Sequence, residues 1–302
     1  MVTEPGTTPI RGSGTGVVLA SYGRGALVQD GALILRCGLV GRKLRLVCGD
    51  RIRWQHAPGA DGPSVESVEP RRNVVERIDA RGRAEPVAAN IDRLAILIAP
   101  EPAPDWFLVD RYWAGARHKD IDALLIVNKH DLDQGPLAEQ LAVYRSLGLA
   151  CVEIGCRDGF GIPALPARLA ASVTLFVGQS GVGKSSLVNA LAPEAEAQTA
   201  ELTRDAEGRH TTTTARWYRL GSDAAIIDAP GVRDFAPPAH IVRAAERGFI
   251  EIHAASVDCR FNDCRHFDEP GCAVRAGVAA QRIAPRRYES YRRLARLYED
   301  LA

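Results

Sequence analysis

From about position 15 to position 70, apolar and polar residues alternate in short runs: TGVVLAS, RGALVQD, GALILRC, GDRIRWQ and PSVESVE. Gly23, the Asp30-Gly31 pair and Gly38 punctuate them. A two-residue period broken by tight-turn residues predicts β-strands. Five such strands in about 60 residues predict a small closed all-β barrel, OB-like, over residues 15–75. Residues 1–14, rich in Gly, Thr, Pro and Ser, read as a flexible tail.

From Arg77 the pattern changes. ANIDRLAILIAP, DALLIVNKHDL, CVEIG, VTLFVGQS, ARWYRL and AAIIDAPG each contain the apolar run of a buried strand. Helical stretches fall between some of them, at Pro104–His118, Pro136–Leu147 and Lys184–Ala192. Strands alternating with helices predict an α/β domain on a mainly parallel sheet, spanning residues 76–237. Residues 238–302 read as helical, interrupted by a cluster of cysteines and a histidine.

Composition narrows the class. Hydrophobic residues make up 46% and charged residues 25% of the 302, which is a folding composition. The longest apolar runs, Leu94–Ala99 and Ala123–Val127, fall well short of the roughly 20 residues that cross a membrane. The N-terminal residues contain no apolar signal core, so secretion is not expected and a cytoplasmic protein is. A net charge of +1 excludes a uniformly basic nucleic-acid binder and leaves local patches open. Residues 1–75 carry ten Arg and Lys against six Asp and Glu, so the barrel reads either as an RNA-binding module or as a plain structural one. Seven cysteines are an odd count for a disulfide framework and point to a reduced compartment.

Lysine occurs only at Lys43, Lys119, Lys129 and Lys184, and two of these lie inside motifs. The strand VTLFV runs into Gly178-Gln179-Ser180-Gly181-Val182-Gly183-Lys184-Ser185-Ser186, which matches GxxxxGK(S/T) between a strand and a helix. Glycines let backbone N–H groups turn inward around phosphates at a helix N-terminus. Lys184 is placed to reach the β and γ phosphates, and Ser185 to ligate magnesium. Upstream, Asn128-Lys129-His130-Asp131 ends the strand DALLIV and fits NKxD. A carboxylate at Asp131 can accept guanine's ring N–H and exocyclic amino group together, whereas adenine would leave it unpaired. Asn128 can brace the phosphate loop, and the Lys129 stem can lie over the base. The loop after CVEI, with Gly155-Cys156, is placed to complete the base pocket by a backbone contact.

Downstream, Asp228-Ala229-Pro230-Gly231 fits DxxG, in which Asp228 meets magnesium through water and the Gly231 N–H meets the γ-phosphate. Gly208-Arg209-His210-Thr211-Thr212-Thr213-Thr214 lies between the phosphate loop and DxxG. This threonine run either supplies a magnesium ligand, with Thr212 and Thr213 the candidates, or forms an edge strand. Val232 stands where many GTPases have a water-orienting Gln.

The motifs run NKxD, phosphate loop, DxxG, which permutes the ordinary order of phosphate loop, DxxG, NKxD. The chain resembles the RsgA (YjeQ/YloQ) family of circularly permuted bacterial GTPases over residues 15–302. That resemblance implies GTP hydrolysis during late maturation of the small ribosomal subunit. It also implies that His210 helps to position water in place of the missing Gln. Gly155-Cys156, where GTPases usually have Ser-Ala, and the extra Thr214 depart from the pattern.

Cys259-x4-Cys264-x-His266-x5-Cys272 gathers three thiols and one imidazole, the ligand set of a closed structural zinc site. Arg282–Arg296 holds six arginines and one acid, Glu289, and reads either as a solvated helix face or as a contact for rRNA phosphates. The expectation is therefore a multidomain protein: an N-terminal all-β OB-like barrel, a circularly permuted α/β P-loop GTPase domain, and a mainly helical zinc-binding C-terminal domain. It is expected to be a GTP- and magnesium-dependent hydrolase with one zinc. Its expected partners are the small ribosomal subunit and its rRNA, with no membrane, and the chain is expected to be a monomer. The rival readings are a metabolic P-loop kinase and an RNA-binding module in which GTP is only structural.

Overall fold

The computed structural model describes residues 12–39, 44–78, 84–193, 215–229, 232, 235 and 244–299. Two compact units are drawn from the chain, one from residues 1–92, 162–176 and 184–234, the other from residues 93–161, 177–183 and 235–302.

In the first unit, β1 (Gly12–Tyr22), β2 (Gly25–Asp30), β3 (Leu33–Leu39), β4 (Arg51–His56) and β5 (Ser64–Val68) close into a barrel of order β1-β2-β3-β5-β4. These are the five strands expected from the alternation. Their inward positions, among them Val18, Val28, Leu35, Ile52, Trp54 and Val65, form the barrel core. The first strand starts at Gly12 and so reaches into the segment expected to be a tail. Its opening residues pair with β4, Gly12 opposite His56 and Gly14 opposite Trp54. A side chain at Gly14 would collide with the Asp30 carboxylate and the Trp54 indole, so glycine here serves close packing.

A hairpin not foreseen from the sequence, β6 (Val74–Ile78) and β7 (Ala84–Ala89), follows the barrel. It docks on the barrel through the backbone bond from Ala89 N–H to the Cys48 carbonyl (2.9 Å). The Asn90 amide adds a bond to the Gly49 carbonyl (2.9 Å). Next to this junction the buried Asp50 carboxylate accepts from Arg71 Nε at 2.6 Å and Nη2 at 2.8 Å, and from Val47 N–H at 2.8 Å. Such bidentate pairing is what lets a carboxylate lie out of water.

The α/β core is a six-stranded mixed sheet of β8 (Arg93–Ile98), β9 (Asp122–Val127), β10 (Ala150–Glu153), β11 (Val173–Gly178), β12 (Arg216–Leu220) and β13 (Ala224–Asp228). Its order is β10-β9-β8-β11-β13-β12. β8, β9 and β10 pair in parallel, as do β11 and β13, while β12 runs antiparallel at one edge. The unbroken apolar run of β8 fits a strand covered on both faces. Helices α1 (Trp106–His118), α2 (Ala138–Ser146), α3 (Leu165–Leu169) and α4 (Lys184–Leu191) lie among the strands in sequence. The Asp105 side chain caps α1 by accepting from Leu108 N–H at 3.1 Å, which fixes where the helix starts. No helix among the described residues is long and apolar enough to cross a membrane.

The second unit also holds α5 (Ala244–Gly248), α6 (Ile250–Ser256), α7 (Ala273–Ala279) and α8 (Pro285–Glu299). Phe249, Ile252, Val274, Ile283 and Leu294 form their core together with Ala114 of α1. Beside it lies a buried ionic network. Asp110 accepts from Arg287 Nη1 at 2.7 Å, from Arg286 Nη1 at 2.7 Å and from the Tyr144 hydroxyl. Arg287 forks onto Glu251 as well, at 2.7 and 2.9 Å, and lies over the rings of Trp113 and Phe249. The Arg287 side chain is 1% exposed and its guanidinium is held charged more firmly than usual; Asp110 and Glu251 outweigh the opposing effect of burial. Two of the six arginines of the basic stretch, Arg286 and Arg287, thus pair with Asp110 and are not part of a solvated face.

Removing one partner of such a network leaves the others buried and uncompensated. Asp110→Ala is expected to lower the unfolding free energy by about 3–5 kcal/mol. Equilibrium urea unfolding measures this, and a loss under about 1 kcal/mol would show the network to be dispensable.

Candidate nucleotide-binding site and metal centre

β11 ends at Gly178 and α4 begins at Lys184, so the predicted phosphate loop occupies a strand-to-helix turn. Gly178, Gly181 and Gly183 adopt φ values of +146°, +82° and +92°. A Cβ at Gly183 would strike the Asn128 amide, and one at Gly178 would strike the Leu97 carbonyl. Glycine at these two positions lets the loop pass close to Leu97 and Asn128 where any side chain would collide. Lys184 and Ser185, with Ser186 after them, form the first turn of α4, where the helix dipole also favours negative charge.

Asn128 ties three segments together. It is 2% exposed and follows β9 directly. Its Nδ2 donates to the Val182 carbonyl in the phosphate loop at 2.9 Å. Its Oδ1 accepts from Cys156 N–H at 3.2 Å. The NKxD segment, the phosphate loop and the Gly155-Cys156 turn, far apart in sequence, are thus joined at one side chain. Lys129 takes a left-handed conformation (φ +62°), and its Nζ donates to the Glu101 carbonyl at 2.5 Å. His130 stacks on Phe160, with ring centroids 3.6 Å apart. The Asp131 carboxylate is partly exposed and lies 3.7 Å from the Arg157 guanidinium. The turn at 155–160 is closed by Gly155 N–H to the Phe160 carbonyl and Gly159 N–H to the Gly155 carbonyl.

Other predicted residues take distinct places. Gln179 turns its amide toward the chain after β8, donating to the Ala103 carbonyl and accepting from Asp105 N–H. Ser180 lies within the loop. Asp228 ends β13, in register with Phe176 of β11 just before the loop. Gly231, His210, Thr212 and Thr213 lie outside the described residues. Phe160, the Glu101 carbonyl and Gln134, whose amide donates to the Lys129 and Leu132 carbonyls, support the site without having announced themselves in the sequence. A lone aromatic and a backbone carbonyl carry no motif.

Cys259, Cys264, His266 and Cys272 converge, with one ligand atom from each lying within 4.8 Å of all the others. His266 Nδ1 lies 3.5 Å from Cys259 Sγ and 3.5 Å from Cys272 Sγ, and those two sulfurs are 4.0 Å apart. Tetrahedral zinc with ordinary bond lengths would set S–N pairs about 3.6 Å and S–S pairs about 3.8 Å apart, so the set fits that ion. The thiols differ in acidity. Burial pushes Cys264 up to about 12. Burial also opposes ionisation of Cys259, but N–H groups of Val274 and Ala273 outweigh it and lower its pKa. Three crowded sulfurs ionise together only around a cation.

Permuted motifs on a mixed α/β sheet, with a glycine-shaped loop braced by NKxD, define a P-loop GTPase. The family model described as RsgA GTPase matches residues 68–237. The chain is 42% identical to the small ribosomal subunit biogenesis GTPase RsgA of Azotobacter vinelandii, over 92% of this chain and 84% of that protein. It is also 42% identical to the protein of that name from Pseudomonas aeruginosa, over 93% of this chain and 84% of that one. Among solved structures it is similar to YjeQ from Thermotoga maritima, with a TM-score of 0.74 and 25% identity over 95% of this chain and 98% of that one. The fold also matches YloQ, a circularly permuted GTPase, with a TM-score of 0.72 and 22% identity over 96% of each chain. The chain belongs to the RsgA GTPase family and is a GTP hydrolase.

Asn128→Ala deletes a donor and an acceptor and leaves the Cys156 N–H and the Val182 carbonyl without this partner. A stability loss of about 1–3 kcal/mol is expected, with faster amide exchange at Cys156. Denaturant unfolding and hydrogen exchange measure the two effects, and unchanged exchange at Cys156 would show that the bond does not hold in solution.

Proposed function

We propose that this GTPase binds the small ribosomal subunit and its rRNA, and couples GTP hydrolysis to late maturation of the subunit and to its own release. The reading rests on relatives named as small ribosomal subunit biogenesis GTPases that match 92% of the chain. In this reading the barrel of residues 15–75 and the zinc segment of residues 238–302 flank a GTPase domain of residues 76–237, and the protein works as a cytoplasmic monomer. Exposed arginines of the C-terminal stretch, such as Arg282, Arg293 and Arg296, remain for phosphate contacts.

At the nucleotide, the observation that carries the reading is the Asn128 bridge, which ties the base-reading strand end to the phosphate loop. Asp131 pairs with guanine's two adjacent donors, and the Lys129 stem covers the ring. Backbone N–H groups from Gly178 to Ser186 hold the phosphates, and Lys184 reaches the β and γ groups. Magnesium supplies charge neutralisation at those phosphates; Ser185 and either Thr212 or Thr213 hold it, and Asp228 meets it through water. The Gly231 N–H holds the γ-phosphate, and His210 orients the attacking water that Val232 cannot. Cys259, Cys264, His266 and Cys272 hold one structural zinc.

Two experiments test the reading. Asp131→Asn presents a donor that opposes guanine's amino group and pairs with xanthine's carbonyl. GTP binding should weaken about 10–100-fold while xanthosine triphosphate binding strengthens. Competition binding with both nucleotides reads this out, and an unchanged GTP preference rejects the base-pocket assignment. A GTPase without a water-orienting Gln should be slow alone. Purified small subunits should raise its turnover on the order of 10–1,000-fold, with the effect fading at high salt as counterions compete. A turnover rate indifferent to subunits at low salt would reject the coupling of hydrolysis to the subunit.

A further inference from the structure

The metal cluster leaves one buried carboxylate unexplained. Glu246, in α5, is 2% exposed, and its Oε2 lies 3.4 Å from His266 Nε2. The other carboxylate oxygen, Oε1, is held from α6, by the Ser256 hydroxyl at 2.8 Å and by His253 Nδ1 at 3.0 Å. The carboxylate therefore cannot swing away freely from the imidazole. α5 is itself fixed, because Gly248 packs so closely on Ala114 that a Cβ there would collide with it.

The histidine has two inequivalent nitrogens. Nδ1 faces the sulfurs of Cys259 and Cys272, and Nε2 faces Glu246. A metal-bound Nδ1 carries no proton, so the ring's proton sits on Nε2 and needs an acceptor in a site with no exposure. The backbone at His266 is constrained independently. It takes φ +64°, its carbonyl accepts from the Tyr288 hydroxyl, and the Arg265 carbonyl accepts from the Tyr291 hydroxyl at 3.0 Å. α8 thus sets where the histidine is, and Glu246 is placed to set which way its ring faces.

We propose that Glu246 is a positioning residue of the metal centre: it accepts the Nε2–H of His266, fixes the ring tautomer and rotation, and so presents Nδ1 to the metal beside the three sulfurs. This rests on the zinc reading above. A carboxylate behind a metal-bound imidazole also makes the imidazole a stronger donor, and removing one typically costs 10–100-fold in metal affinity. Glu246 lies twenty positions before His266, so no ligand spacing in the sequence points to it.

The test uses the full chain as wild type, Glu246→Ala and Glu246→Gln. Zinc affinity is measured by competition with a chromophoric chelator, and the His266 side-chain N–H is followed by NMR in the zinc-loaded proteins. Glu246→Ala should bind zinc about 10–100-fold more weakly, with faster solvent exchange of Nε2–H. Glu246→Gln keeps the shape and one acceptor oxygen, and should lose less than about tenfold while its Nε2–H resonance moves upfield, because a neutral acceptor bonds more weakly. If the alanine variant fails to fold, the glutamine variant decides. An unmoved Nε2–H resonance in Glu246→Gln, or wild-type zinc affinity in Glu246→Ala, overturns the proposal alone. Weaker zinc binding in Glu246→Ala with Nε2–H still protected also overturns it, as a packing effect. Wild-type protein that takes up no zinc overturns the zinc reading and this proposal with it.

Discussion

The nucleotide-binding half of this protein depends on one buried amide. Asn128 has a donor and an acceptor on the same planar group, and both are used, one on the phosphate loop at Val182 and one on the turn at Cys156. Out of water, each of these backbone groups needs a partner, and leaving one unpaired costs about 1–3 kcal/mol. That penalty holds three loops of different origin in one register. Gly183 completes the arrangement, since any larger residue would push the Asn128 amide away.

This interaction also explains how a permuted chain keeps the site intact. A parallel sheet gathers loops at the ends of its strands, whatever the order in which the chain visits them. The segment after β9 and the loop after β11 meet through the bond from Asn128 to the Val182 carbonyl, although 54 positions separate the two residues. Permutation moves the chain ends without moving the strand ends.

The C-terminal helices use a different principle. Their apolar core is small, and two polar devices support it: the Asp110–Arg287–Glu251 network and the Cys259, Cys264, His266 and Cys272 cluster. Both bring charged or ionisable groups out of water, where they stabilise only as complete sets. A missing partner is then more damaging than a missing apolar contact. α8 serves both, with Arg286 and Arg287 on Asp110 and Tyr288 and Tyr291 on the backbone at the cluster.

Much was legible in the chain alone. The barrel strands followed from two-residue alternation, and the central strands from apolar runs such as Leu94–Ala99. The phosphate loop, NKxD and the Cys/His cluster could be read because each packs its chemistry into a few consecutive positions, where spacing is itself geometry. The hairpin of β6 and β7 was not legible, because its Arg and Glu residues obscure the alternation and its anchor is a backbone bond to Cys48. The strand pairing of Gly12–Gly14 was hidden by a composition that resembles a tail. Along the arginine-rich helix Arg287 is buried and Arg293 is exposed, and the positions of Asp110 and Glu251 on other helices separate them. Glu246 and Phe160 belong to the same class. Short-range pattern determined the elements and the chemistry carried within one loop; tertiary structure decided which distant side chains would meet, because a hydrogen bond or an ion pair depends on distance in space and leaves no period along the chain.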